Sequence, residues 1–169
     1  MTNKELFNFV KNKRGSISRD NCNRIINRSI QNISIPAMSR VGAHAFRGCI
    51  RLTNVVLPSG MTAINSYAFQ GCTALTTINF PASLSEIADN AFASCTYLEN
   101  VTLENGFACN GLNLSASTKF SVQTMVAMFN ALLDKTGEQA CTLKLGSANL
   151  EKLSNEQIAI ATEKNWTLA

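Results

Sequence analysis

The sequence contains one histidine, His44, and no run of apolar residues near the roughly 20 needed to cross a bilayer. A single imidazole leaves acid–base chemistry short of a partner. It also excludes the paired-histidine metal motifs. No Gly-x-Ser-x-Gly elbow, phosphate-binding glycine loop or His-Glu-x-x-His occurs. Charged residues make up only 15% of the chain and hydrophobic ones 46%, a balance that argues against disorder and for a folded core. The N-terminal MTNKELFNFVKNKRG lacks an apolar stretch followed by a small-residue cleavage site. The chain therefore shows no export address, which speaks against a self-exported surface protein. No enzyme activity, cofactor or metal is expected.

What is present is repetition. RVGAHAFRGCIRLTNVVLP, AINSYAFQGCTALTTINFP and EIADNAFASCTYLENVTLE follow one another between Arg40 and Glu104. Phe46, Phe69 and Phe92 are 23 residues apart, as are Cys49, Cys72 and Cys95, and Leu52, Leu75 and Leu98. A unit this short cannot bury its own apolar face, so its periodic recurrence indicates a stacked solenoid. Each copy ends in an apolar-x-apolar pair, Val55 and Leu57, Ile78 and Phe80, Val101 and Leu103, which reads as a short strand with two inward side chains. Ile33 and Ile35 give an abbreviated earlier copy. The Ala-Phe pairs fall on the return side of each coil, where the rings are expected to stack into an interior ladder.

Three of the six cysteines share the repeat period, which implies buried reduced thiols packing as small apolar groups rather than a disulfide framework. His44 corresponds to Tyr67 and Asn90 in the next copies, so that position is expected to face solvent.

Three segments are expected. Residues 1–29 form a basic helical arm and cap, 30–103 carry three to four 23-residue repeats, and 104–169 form a strand-helix-strand-helix-strand cap. In the arm, Thr2-x-x-Glu5 resembles a capping box ahead of Leu6, Phe7, Phe9 and Val10. Up to Arg40 eight basic residues stand against Glu5 and Asp20, a net of 8 − 2 = +6, while the rest of the chain is slightly acidic. In the cap, Leu112-x-Leu114, Leu143-x-Leu145 and Trp166-x-Leu168 read as strands. A helix capped by Ser121 runs through Leu132 and Leu133 toward Gly137, and Ser154-x-x-Gln157 opens a second helix with Ile158 and Ala161.

The phrase A-F-x-G-C-x-x-L-x-x-I-x-I-P resembles the BspA-like leucine-rich repeats of bacterial proteins, over about Ile30 to Leu103. Ser94 replaces the motif glycine in the third copy and Glu104 replaces the proline. The stretch from Leu112 to Ala169 is similar to the segment that often follows such repeats in proteins of gut bacteria and their phages. The resemblance implies an α/β, right-handed leucine-rich-repeat solenoid with short parallel strands, and a non-enzymatic binding or adhesion role on a bacterial surface or a phage virion or tail. Its motif is a packing motif and carries over no catalytic residue.

Two surfaces are candidate sites. The outward strand positions form one row, Asn32, Asn54, Thr77 and Asn100, and a second, Ser34, Val56, Asn79 and Thr102. These small neutral groups suit a protein or glycan ligand better than a phosphate backbone. On the arm, Leu6, Phe7, Phe9, Val10, Lys11, Lys13 and Arg14 are candidates for docking onto a larger assembly or a sister subunit. The alternative reading is a nucleic-acid-associated protein acting through that basic arm, although no aromatic interleaving supports it.

Overall fold

The computed structural model describes residues 30–169. The arm, with its candidate docking residues Leu6 to Arg14 and Cys22, lies outside the described residues. The repeats build two parallel sheets, one on each side of the coils. The front sheet runs β1 (Asn32–Ser34), β3 (Asn54–Val56), β5 (Thr77–Phe80), β7 (Asn100–Leu103), each strand paired with the next. The return sheet runs β2 (Arg40–Val41), β4 (Ala63–Ile64), β6 (Glu86–Ile87). This second sheet is not anticipated by the strand pattern, because two-residue strands are too short to show alternation.

The interior is a set of columns. Phe46, Phe69 and Phe92 are fully buried, with ring centroids 5.2 and 5.3 Å apart and planes within 9° of parallel. That spacing follows the coil rise of about 4.8 Å, with the rings offset along the axis. Phe80 meets Phe92 edge-on at 5.3 Å and closes the column from the front sheet. The backbone holds the same register, with Phe46 N–H donating to Ala68 O and Phe69 N–H to Ala91 O.

The motif glycine has a conformational cause. Gly48 and Gly71 sit at φ 72° and 71°, and Ser94, which replaces glycine in the third copy, is held at φ 62°. A left-handed residue is needed there to turn the chain out of the return side, and glycine adopts it without a Cβ clash.

After β7 the period ends. Gly106 and Phe107 N–H both donate to Ala131 O, and Phe107 pairs with Leu132 in an isolated parallel bridge. A third parallel sheet follows, ordered β10, β9, β8, from β8 (Leu112–Asn113), β9 (Cys141–Lys144) and β10 (Trp166–Leu168). Helix α1 (Val122–Ala131) joins β8 to β9; α2 (Ser147–Leu150) and α3 (Asn155–Thr162) join β9 to β10. The caps at Ser121 and Ser154 are present, the latter a complete capping box with Gln157.

Three details differ from the sequence reading. Helix α1 stops at Ala131 instead of running through Leu132 and Leu133 to Gly137. The bridge to Phe107 draws Leu132 into extended conformation, ψ 138°, and Leu133 N–H donates to Phe107 O. Lys164 Nζ then satisfies the freed carbonyls of Phe129, Asn130 and Leu132 at 2.8–3.1 Å. The middle strand begins at Cys141, two residues before Leu143. Helix α2 is additional; it is one turn long and enters from Gly146 at φ 80° with no side-chain cap.

Candidate functional site

The front sheet places the two outward rows in register. Asn32 pairs with Asn54, Asn54 with Thr77 and Thr77 with Asn100; beside them Ser34 pairs with Val56 and Asn79 with Thr102. Inward residues Ile33, Val55, Ile78 and Val101 are buried, and that fixes which face the others present. Asn32, Ser34, Val56, Asn100 and Thr102 are exposed, whereas Asn54, Thr77 and Asn79 are half-buried. No row residue carries charge. The face is therefore a rigid grid of donors and acceptors with a single apolar point at Val56.

Asn79 differs from its neighbours. Its Oδ1 accepts from Leu57 N–H at 3.0 Å and its Nδ2 donates to Leu57 O at 3.3 Å. At the preceding coil junction the equivalent bond runs from Ile35 N–H to the backbone carbonyl of Val56. The Asn79 side chain thus takes the place of its own carbonyl in the ladder, and its amide is committed to holding coils together. A primary amide is the side chain able to copy a peptide group in this way. The hydroxyls bordering the first row are committed similarly, Thr53 Oγ1 to Gln31 O at 2.8 Å and Thr76 Oγ1 to Thr53 O at 3.1 Å. Of the asparagines, Asn32, Asn54 and Asn100 are those placed to meet a ligand.

The other singled-out residues sit in the framework. His44 was expected to face solvent; it is half-buried and stacks on Tyr67 with centroids 5.0 Å apart, because successive coils bring equivalent positions into van der Waals contact. Arg47 lies over the same tyrosine ring at 5.8 Å. Cys49, Cys72, Cys95, Cys109 and Cys141 are buried thiols outside any disulfide. Cys72 Sγ donates to Phe46 O and Cys95 Sγ to Phe69 O, both at 3.1 Å, so the cysteine column also ties coil to coil.

Three of these thiols, Cys72, Cys95 and Cys109, are shifted away from reactivity. A hydrogen bond with Cys49 and burial push the Cys72 thiol far up; burial raises Cys95 to about 12 and Cys109 to about 11. We expect iodoacetamide at pH 8, read by peptide mapping, to leave Cys72 and Cys95 unmodified in the native protein and to label both after denaturation. Rapid native labelling would contradict their placement. Among the described residues no group of three or more His, Cys, Asp or Glu gathers to hold a metal ion, and no helix is long and apolar enough to cross a membrane.

Short parallel strands stacked at one coil per step, with a column of leucine and phenylalanine inside, define a leucine-rich-repeat solenoid of the α/β class. The chain belongs to the BspA-type leucine-rich repeat family, whose "BspA type Leucine rich repeat region (6 copies)" matches residues 21–130. The match begins before Ile30 and extends through most of α1, beyond the repeat span legible by eye. Among solved structures, a T. pallidum leucine-rich repeat protein is similar at 18% identity, covering 82% of this chain and 72% of that one with a TM-score of 0.46. A search of curated proteins finds no match. Membership places the chain among protein-interaction or adhesion modules, in a family of generally non-enzymatic scaffolds.

Proposed function

We propose that this chain is a recognition module whose front sheet binds a segment of a partner protein, with Asn32, Asn54 and Asn100 as principal contacts and Ser34, Val56, Thr77 and Thr102 completing the surface. The observation that carries this reading is the in-register grid itself, neutral, hydrogen-bonding and held rigid by the columns behind it. Its repeat of about 4.8 Å per coil suits an extended ligand lying across several coils. The grid's lack of charge favours a protein or glycan over nucleic acid, and the single apolar point at Val56 with the family's character favours protein. The basic arm from Leu6 to Arg14 would tether this face to a larger assembly.

The test uses a displayed library of random peptides selected on the full chain. Selected peptides are expected to lose at least about tenfold in affinity, some 1.4 kcal/mol, for an Asn54→Lys, Asn100→Lys double variant whose melting temperature matches wild type. Asn79 is left intact because its amide supports the ladder. Undiminished binding to the variant would remove the strand face as the site. Failure of any peptide to bind, together with hits on a glycan array that the same variant abolishes, would keep the face and change the ligand class.

A further inference from the structure

Charge is sorted by coil along the repeat axis. The coil from Ala37 to Pro58 carries Arg40, Arg47 and Arg51 and no acid; that from Ser59 to Pro81 carries no charge; that from Ala82 to Glu104 carries Glu86, Asp89, Glu99 and Glu104 and no base. The series is +3, 0, −4. Register makes the sorting geometric, since Arg40 pairs with Ala63 and Ala63 with Glu86. Opposite charges therefore lie two coil steps apart, about 10 Å, on either side of a neutral coil.

We propose that the chain pairs with a second copy of itself, side by side and antiparallel, about a two-fold axis through the neutral middle coil. In an isologous interface every residue on the axis meets its own copy, so a charge there would face a like charge, whereas residues either side meet the opposite end. An uncharged coil between a basic and an acidic one is an arrangement that suits this symmetry. A parallel pair would set like charges together, which is disfavoured.

The corner entering the front sheet is the face that fits. It presents Ile50 and Arg51 on the basic coil, Thr73, Ala74 and Thr76 on the neutral one, and Tyr97 and Glu99 on the acidic one. Ile50 and Tyr97 are both 53% exposed, large apolar groups at opposite ends of the corner. Between them a cavity of about 320 Å³ is lined by Thr73, Ala74, Thr76 and Tyr97, with alanine making the notch where the flanking coils carry Arg51 and Tyr97. Lys119 Nζ lies 5.5 Å from the Tyr97 centroid and steadies the ring. Antiparallel pairing brings Ile50 of one copy toward Tyr97 and the notch of the other, and Arg51 toward Glu99, twice. Of the other three acids on that coil, Glu86 stands on the return sheet, Asp89 is bonded to Lys144 and Asn113, and Glu104 accepts from Ala82 N–H, so Glu99 is the carboxylate this corner offers; Arg51 already has a contact within its own chain, and its exposed guanidinium, with five donors, would reach Glu99 in addition to it. The corner is smaller than a standard interface of about 800 Å² per partner, so micromolar or weaker association is expected.

Sedimentation velocity on the full chain, over a concentration series, tests this. A dimer is expected at low salt, its dissociation constant rising at least about tenfold on going to 1 M salt, where the screening length falls to about 3 Å. Arg51→Glu and Glu99→Arg should each weaken it by a similar factor, while the double variant, with both charges exchanged, should return to within about threefold of wild type. Circular dichroism confirms that these exposed substitutions leave the fold intact. A monomer at all concentrations, a dimer indifferent to the single reversals, or a double variant no stronger than the singles would overturn the proposal. The strand-face reading stands or falls separately, since its test uses Asn54 and Asn100.

Discussion

Replacing Phe69 by alanine is expected to cost about 3–5 kcal/mol in urea unfolding, the range for a fully buried aromatic whose site cannot collapse. Phe69 is the middle rung, 5.2 Å from Phe46 and 5.3 Å from Phe92, with none of its surface exposed. The backbone ladder through this rung, Phe46 N–H to Ala68 O and Phe69 N–H to Ala91 O, does not depend on the ring and holds the coils at their spacing, so the emptied volume stays open. A solenoid is stabilised coil by coil through nearest-neighbour contacts, so loss of the central rung also loosens the coupling between the two ends. The transition should broaden as well as shift, and Phe46→Ala, which removes one stacking partner instead of two, should cost less. An unchanged midpoint would refute the ladder.

The second large effect is expected at Asn149, which is 1% exposed. Its Nδ2 donates to Ser117 O at 2.6 Å and Leu145 O at 2.8 Å, and its Oδ1 accepts from Lys152 Nζ at 2.9 Å. Lys152 in turn donates to the carbonyls of Thr118 and Phe120, and Ser117 Oγ donates to Leu98 O at 2.7 Å in the last repeat. One amide thereby links the C-terminal sheet to the connection that leaves the repeats. Asn149→Leu keeps the heavy-atom count and the branching at Cγ but leaves two buried carbonyls without their donor. At about 1–3 kcal/mol per unsatisfied group, a loss of about 2–6 kcal/mol is expected for the two. Hydrogen exchange should show the cap, from Leu112 onward, opening before the repeats. Uniform destabilisation of both parts would mean the junction is not where they are joined.

The parts of this fold written at the repeat period were legible before any coordinates. Phe, Cys and Leu at 23-residue intervals mark the core columns, and the Asn and Thr positions between them mark the outward rows of the front sheet, because a parallel in-register stack converts sequence period directly into spatial neighbours. Ser121 and Ser154 announced their helices through local capping chemistry. The remainder depended on contacts distant in sequence. Where α1 ends is decided by Phe107, which pairs with Leu132 across the chain, and no local signal at Ala131 marks it. The return strands are two residues each and carry no alternation to read. Asn79 looked like one more member of a polar row. Only the geometry shows its amide standing in the ladder, although asparagine where the neighbouring copies have Val56 and Thr102 was a visible irregularity.

Amide chemical-shift mapping of the full chain with a selected peptide is the direct check on the proposal that the front sheet is the recognition surface. The largest shifts are expected on Asn32, Asn54, Thr77 and Asn100 and the residues flanking them in β1, β3, β5 and β7. Shifts confined to the return sheet or the C-terminal cap, with those strands unmoved, would contradict it.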